Sequence, residues 1–238
     1  MNDVKGYMEA HELQAHEDAD LIEEFSDELA KMTGKCIDIG CGPASVTRKL
    51  LMPRLPPNVH IVAVGIGKIR YNPYLESKKV SDSPRAFENI YQILRPGGRA
   101  LVLYVAYHKI FDCYLRIAQM SQYKPYMTEV TKFIPKFQHC DSPTVQMKKI
   151  LEETGFKVLH CSLRKKTYIF RNLEIAKKHF VAANPFISKM PENVGKEFGN
   201  VLAREFASKK NKELNEEEEV LDLHHLLIIY LEKPEREK

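Results

Sequence analysis

One ten-residue segment, CIDIGCGPAS at positions 36–45, constrains the fold of this 238-residue chain more than any other. The run Lys35 to Ile39 is short and mostly apolar, which is typical of a buried parallel strand. A glycine-rich turn follows, and helical spacing resumes from Ser45 to Leu51. Glycines allow a tight turn and close backbone approach, and the free N–H groups at a helix start favour anions. The order of strand, glycine turn and helix therefore predicts a nucleotide-cofactor site.

Two cofactor chemistries share this geometry, and Asp38 distinguishes them. A dinucleotide site needs G-x-G-x-x-G or G-x-G-x-x-A, with an acid about 20 residues later for the ribose. Here Ser45 takes the sixth position, and the second predicted strand, Val59 to Val64, ends without an acid. The segment instead resembles the pattern of S-adenosylmethionine (SAM) sites, in which two apolar residues, an acid and another apolar residue precede G-x-G. Because Asp38 occupies the acidic position of that pattern, the segment favours SAM.

A second glycine signature, LRPGGRAL, lies at positions 94–101. A helix end, a Pro-Gly-Gly turn and an apolar strand follow one another there, and this order is similar to the element that enters the fifth strand of SAM-dependent methyltransferases. A plain helix-to-strand turn explains the same glycines by their backbone freedom alone. Since both glycine signatures occur in the right order, they favour a methyltransferase.

Strand and helix patterns alternate along the whole chain. The predicted strands cover residues 35–39, 59–64, 100–105, 156–163 and 221–231, with a further candidate at 68–72. The predicted helices cover 12–32, 45–51, 86–94, 145–154, 172–183 and 194–207, and 109–134 is mostly helical. This alternation predicts an α/β fold with a doubly wound, mostly parallel sheet.

Composition excludes several classes of protein. The net charge of +4 is too small to indicate nucleic-acid binding, and the longest apolar run, Leu226 to Leu231, is too short to span a bilayer. Five cysteines without a C-x-x-C pair and a start without an apolar signal core suit a reduced, cytoplasmic chain. His224 and His225 are adjacent and point to opposite faces of a strand, so no metal site is expected. We expect one domain, residues 1–238.

Longer stretches resemble the insect juvenile hormone acid O-methyltransferase family, whose members are class I SAM-dependent methyltransferases. The matching blocks are ELQ at 12–14, residues 36–47, AFENIY at 86–91 with PGG at 96–98, IFDCY at 110–114, FIP at 133–135 and VAANPF at 181–186. The last three blocks are not generic features of methyltransferases.

The resemblance implies a Rossmann-like fold, SAM as donor, and a small apolar (sesquiterpenoid) acid such as farnesoic or juvenile hormone acid as substrate. It implies that Gln14 is catalytic and donates a hydrogen bond to the substrate carboxylate. The implied SAM-binding residues are Tyr7, Asp38, Gly40, Cys41, Gly42 and Ala44. Residues 107–137 and 172–207 are the expected substrate-covering helical insertions. For Cys41 a reactive thiol remains an alternative, because a helix N-terminus lowers a thiol pKa.

Three expected parts of the family pattern are absent. The second predicted strand is followed by Gly65 and Gly67 where an acid should take the ribose hydroxyls. The acid expected near the adenine falls in residues 73–76, where only Glu76 could substitute. Family members also carry a Trp that partners the substrate carboxylate, and this chain has no Trp.

The spacing after the second predicted strand points to an internal deletion. Only 19 residues separate Val64 from Pro84, whereas two crossover helices and two strands need roughly 30 or more. We infer that about 50 residues are missing relative to a complete relative, among them the central fourth strand. Loss of that strand would expose apolar faces that parallel strands normally bury.

These departures leave two alternatives to an apolar-acid methyltransferase whose activity is impaired. One is a non-enzymatic remnant or isoform that binds an apolar ligand or a partner. The other is a SAM-dependent methyltransferase of another small molecule.

Overall fold

The computed structural model describes residues 12–41, 44–64, 83–182, 184–208 and 217–235. The chain forms two compact units. The first comprises Met1–Pro73 with Val181–Ala183, and the second comprises Tyr74–Phe180 with Asn184–Lys238. No helix in the described ranges is both long and apolar enough to cross a membrane.

The first unit is built around two parallel strands. Its elements are α1 (Glu12–Glu24), α2 (Ser26–Leu29), β1 (Lys35–Ile39), a π-helical turn (Thr47–Leu51), a 3₁₀ turn (Met52–Arg54) and β2 (His60–Val64). β1 and β2 pair in parallel from Lys35 opposite His60 to Ile39 opposite Val64. Leu21, Phe25 and Leu29 are buried at helical spacing, so α1 and α2 present one apolar stripe.

One face of this small sheet is open. Ile37, Ile39 and Val62 are 42%, 51% and 52% exposed. Among the described residues β1 pairs only with β2, so its other edge has no strand beside it. Parallel strands are normally buried on both faces. Exposed apolar side chains on β1 and β2 are therefore what we expect if the central fourth strand is lost. The candidate strand at 68–72 lies outside the described residues.

The described residues of the second unit form a three-stranded sheet and five α-helices. The strands are β3 (Arg99–His108), β4 (Lys157–Phe170) and β5 (Val220–Glu232), and the helices are α3 (Ser83–Ile93), α4 (Lys109–Ile117), α5 (Pro143–Thr154), α6 (Leu173–Ala182) and α7 (Glu192–Ala207). The strand order is β3-β5-β4, and β5 runs antiparallel to both neighbours. Parallel pairing in the described residues therefore occurs only between β1 and β2.

Two apolar clusters hold the second unit together. In one, Phe87 of α3 and Met147 and Leu151 of α5 pack against Leu227 and Ile229 of the central strand β5. The other joins the helices of the two expected insertions, α4, α6 and α7, through buried side chains that include Ile117, Phe180, Phe198, Leu202 and Phe206. The helical segments thus form a core of their own beside the sheet core.

Predicted and observed elements differ mainly at their ends. β1 matches its predicted bounds, whereas β4 continues to Phe170 because residues beyond 163 still pair with β5 as far as Val220. The basic residues at 164–166 interrupt the apolar pattern there, which explains the shorter prediction. The stretch 109–134 is helical only in α4 and then breaks into 3₁₀ turns, the first of which contains Pro125.

Candidate functional site

The glycine turn after β1 departs from ordinary backbone geometry at two residues. Gly40 has φ 90° and Ala44 has φ 60°, both in the left-handed region that favours glycine. The Gly40 N–H donates to the Val64 carbonyl at 2.8 Å, and the Ala44 N–H donates to the Cys41 carbonyl at 2.8 Å. A Cβ atom added at Gly40 would meet no heavy atom of the described chain within 4 Å. The turn therefore exposes backbone to which another group can come close.

Asp38 is held in place from beyond the turn. The Thr47 hydroxyl donates a hydrogen bond to Asp38 Oδ2 at 2.6 Å, and Thr47 is only 1% exposed. A hydrogen bond to a charged acceptor is stronger than one between neutral groups. Asp38 and the first helical turn are therefore fixed relative to each other, across the glycine turn that separates them.

The predicted helix from Ser45 to Leu51 is replaced by the π-helical turn, which Pro53 follows in the 3₁₀ turn. π-Helical turns are rare and are frequently found at functional sites. Proline has no N–H to continue the helical hydrogen bonds. The helix that follows the glycine turn is therefore short.

Cys41 lies in the glycine turn, near the carboxylate of Asp38. Burial and the negative charge of Asp38 raise its pKa, whereas a helix N-terminus was expected to lower it. The thiolate is the nucleophilic form of cysteine. The raised pKa therefore disfavours a reactive thiol at Cys41, which is a small, half-buried residue of the turn.

The structure brings together four of the seven predicted site residues. Asp38, Gly40, Cys41 and Ala44 lie at the end of β1 and in the turn that follows it. Gln14 lies in α1, and its side chain is outside the described part of the chain. Tyr7 and Gly42 also lie outside the described residues. Thr47 was missed because nothing in the local pattern distinguishes it from other helix residues.

Residues from each of the three blocks specific to the family resemblance meet in the second unit. The ring of Phe186 contacts the rings of Tyr114 and Phe133 edge-on, with centroid distances of 5.3 Å and 5.0 Å. Asn184 Nδ2 also donates to the Tyr114 hydroxyl at 3.2 Å. Burial raises the pKa of Tyr114, so this hydroxyl stays neutral. Segments far apart in sequence thus form one aromatic cluster, the Tyr114–Phe133–Phe186 cluster.

Asn184 shapes the chain that carries Phe186. Its Oδ1 accepts hydrogen bonds from the N–H groups of Phe186 and Ile187, at 2.8 Å and 3.1 Å. This is the hydrogen bonding by which Asn side chains stabilise turns. The turn directs Phe186 into the cluster, where it is fully buried.

A polar network surrounds the carboxyl end of β3, the edge of an α/β sheet where ligands usually bind. Gln138 is buried, accepts from the His108 N–H and donates to the His108 carbonyl and to Asp112 Oδ1. The Tyr107 hydroxyl donates to Asp112 Oδ2 at 3.2 Å. Burial, followed by the charge of Asp112, raises the pKa of Tyr107. Tyr107, His108 and Gln138 lie outside the blocks matched in the sequence, so only the fold reveals the network.

A hollow of about 300 Å³ between α3 and α5 is a different kind of site. Glu88 and Glu153 are among its lining residues, with Tyr91 and Thr154. Two carboxylates at its rim disfavour an anionic ligand. This hollow is therefore not the expected pocket for an apolar carboxylic acid.

Comparison with known proteins identifies a relative in sequence and neighbours in structure. Juvenile hormone acid O-methyltransferase from Bombyx mori is 23% identical over 235 residues, which cover 83% of this chain and 84% of that protein. The alignment is 235 residues long, but 83% of this 238-residue chain is fewer residues than that. The aligned region of the relative therefore contains residues that are missing from this chain, which agrees with the inferred deletion. No family model matches the chain.

Among solved structures, the YcgJ protein of Bacillus subtilis matches with a TM-score of 0.50 and 11% identity, covering 92% of this chain and 99% of that chain. Phosphoethanolamine N-methyltransferase 2 of Haemonchus contortus, solved with S-adenosylhomocysteine, matches with a TM-score of 0.41 and 13% identity, covering 92% and 53%. The predicted α/β fold is confirmed, and so is the resemblance to methyltransferases. The chain is similar, over more than four fifths of its length, to a juvenile hormone acid O-methyltransferase.

Proposed function

We propose that this chain is a SAM-dependent O-methyltransferase that acts on the carboxylate of a small apolar acid, such as farnesoic or juvenile hormone acid. The observation that carries the proposal is the turn after β1. Gly40 has a positive φ with open space beside it, and Asp38 is held next to it by Thr47. A short, uncrowded backbone turn beside a fixed carboxylate suits a ligand with a compact charged end.

We expect each residue of the turn to have a different role in binding the donor. The Asp38 carboxylate is suited to the ammonium of the methionine portion, and Thr47 fixes its orientation. Gly40 allows close approach of the backbone, and Cys41 and Ala44 complete the turn. By resemblance, Tyr7 and Gly42 join them. SAM supplies an electrophilic methyl group when bound.

The acceptor needs little chemical help from the protein. A carboxylate of ordinary pKa is already ionised at pH 7, so no general base is required. The protein must orient one carboxylate oxygen, cover the apolar tail and exclude water. By resemblance Gln14 orients the carboxylate. The Tyr114–Phe133–Phe186 cluster supports an apolar substrate, because it lies within the segments expected to cover it.

The absent Trp and ribose acid predict weaker catalysis than in a complete relative. They also favour a second candidate, a non-enzymatic remnant that binds an apolar ligand. The two candidates differ in one measurable property, since only the enzyme transfers a methyl group. A methyltransferase of another small molecule would differ only in the acceptor.

Calorimetric titration with S-adenosylhomocysteine tests the donor site. We expect binding by the native chain and a loss of about tenfold or more in affinity for Asp38→Asn, which keeps the shape but removes the charge. Asp141→Asn, which removes an exposed loop carboxylate, is the matched control and should bind as the native chain does. Absence of binding at millimolar ligand would refute the proposal.

A methyl-transfer assay with a panel of acids of different tail length tests the acceptor. Transfer to farnesoic acid excludes the non-enzymatic remnant. Transfer to a polar acceptor alone would replace the apolar acid with another small molecule. Donor binding without transfer to any acceptor would favour the remnant.

A further inference from the structure

A buried carboxylate lies between two imidazole rings in the three-stranded sheet. Asp222 and His224 are two residues apart on β5 and so lie on the same face of the strand. His108, the last residue of β3, is the register partner of His224. His108 Nε2 lies 3.2 Å from Asp222 Oδ2, and His224 Nδ1 lies 3.5 Å from Asp222 Oδ1. The two imidazole rings stack with a centroid distance of 5.6 Å.

The position of Asp222 calls for a compensating group. Asp222 has no exposed surface, and in the described part of the chain neither carboxylate oxygen has a hydrogen bond of good geometry. A buried carboxylate is stable only when it is paired, hydrogen-bonded or bound to a metal ion. The two imidazoles are the groups that face it at ion-pair distance.

We propose that His108, Asp222 and His224 form a binding site for one divalent transition-metal ion, with Zn²⁺ as the preferred ion. Two imidazoles and one carboxylate are a donor set that zinc takes in proteins. The three candidate ligand atoms all lie within 4.8 Å of one another. A tetrahedral zinc ion with ligand atoms at about 2.0–2.2 Å holds those atoms about 3.3–3.6 Å apart. Any pair that is further apart must therefore be drawn together by side-chain shifts when the ion binds.

The backbone positions are well suited to hold an ion. The ligands come from two strands that are hydrogen-bonded to each other, and the side chain of His108 also caps the first turn of α4. A site built on paired strands is held more rigidly than one on loops. A bound ion would join β3, β5 and the start of α4 at the carboxyl end of β3.

Binding has a structural cost that makes the proposal testable. His108 Nδ1 accepts a hydrogen bond from the Ile110 N–H at 3.1 Å, so the ring proton is on Nε2. Coordination through Nε2 requires the other tautomer, with the proton on Nδ1, and therefore breaks the bond from Ile110. One backbone hydrogen bond is small beside the binding free energy of a structural zinc ion.

No local pattern in the sequence points to these three residues as one site. His224 is adjacent in sequence to His225, and these two side chains point to opposite faces of β5. His108 lies more than a hundred residues away, and no ligand spacing connects it to the other two. Strand pairing alone brings the three together.

Titration of the untagged full chain with Zn²⁺, in the absence of SAM, tests the site by calorimetry, and Co²⁺ absorption reports the coordination. We expect one ion per chain and an affinity loss of about 100-fold or more for Asp222→Asn, since even residues that only support ligands cost 10–100-fold. His225→Gln is the matched control, because His225 neighbours the site on the opposite face, against Tyr107. It should bind zinc as the native chain does.

Two results would overturn the site: zinc binding by the native chain no tighter than by Asp222→Asn, or an equal loss in His225→Gln. Hydrogen exchange of the native chain gives a second test that needs no variant. The Ile110 amide should lose protection when zinc is added, because its acceptor is withdrawn. Unchanged protection at saturating zinc excludes coordination through His108 Nε2. Methyl transfer is not measured in either experiment, so the outcome is separate from that of the proposed function.

Discussion

A hydrogen bond from the Thr47 hydroxyl orients the Asp38 carboxylate. The pattern around the glycine turn identified Asp38 and Gly40 from local features, an acid within a strand and a glycine at a sharp turn. It did not identify Thr47, because the turn geometry decides which helix residue reaches the carboxylate. The local sequence pattern therefore locates the turn, whereas only the fold shows that Thr47 orients Asp38.

Replacement of Thr47 by Val removes the hydroxyl and leaves the shape almost unchanged. We expect the free energy of unfolding to fall by about 1.5–3 kcal/mol, because a hydrogen bond to a half-buried carboxylate is lost. Urea denaturation at constant m-value measures the change. Thr47→Ser keeps the hydroxyl and should lose much less. Equal losses in the two variants would show that packing, and not the hydrogen bond, stabilises this contact.

At the scale of elements, the Pro-Gly-Gly turn does more than connect α3 to β3. The Gly97 N–H donates to the Lys233 carbonyl and the Lys233 N–H donates to the Gly98 carbonyl, each at 2.8 Å. The turn is thereby tied to the end of β5. The sequence predicted the turn from its glycines, but its tie to the end of the last strand depends on tertiary pairing.

The Lys233 side chain caps the end of α3. Its Nζ donates to the carbonyls of Tyr91 and Leu94 at 2.8 Å and lies 4.5 Å from the Tyr91 ring centroid. Carbonyls at a helix end have no partner within the helix, and a cation there is favourable. Lys233→Met should therefore lower the free energy of unfolding by about 1–3 kcal/mol.

Thermal and urea unfolding measure this effect. Lys157→Met is the matched control, since Lys157 is an exposed lysine at the same end of the sheet, and its ion pair with Glu232 is long, at 3.9 Å. An exposed ion pair contributes little, so the control should be almost neutral. A comparable loss in both variants would mean that Lys233 acts through general charge and not by capping α3.

At the scale of the whole molecule, the two units have unequal cores. The two-stranded sheet leaves Ile37, Ile39 and Val62 largely exposed, whereas the central strand β5 of the other sheet is buried from Leu226 to Leu231. An isolated pair of strands is only marginally stable in water. The first unit therefore has fewer interactions that oppose local opening.

Hydrogen–deuterium exchange should resolve this difference. We expect the amides of β1 and β2 to exchange much faster than those of β3, β4 and β5, with the residues of β5 slowest. Mass spectrometry of peptides from each strand gives the comparison within one sample. Equal protection of the two sheets would argue that β1 and β2 are stabilised by contacts beyond the two-stranded pairing.

The sequence by itself determined the local parts of this protein: the strand and glycine turn around Asp38, the approximate positions of most elements, and the short spacing after the second strand. Periodicity, glycine conformation and segment length act over a few residues, so they can be recognised without a fold. Only the tertiary structure decided the order β3-β5-β4, the Tyr114–Phe133–Phe186 cluster, and the position of Asp222 between two imidazoles. These features join segments that are distant along the chain, and their contacts depend on strand register and packing, which no local pattern specifies.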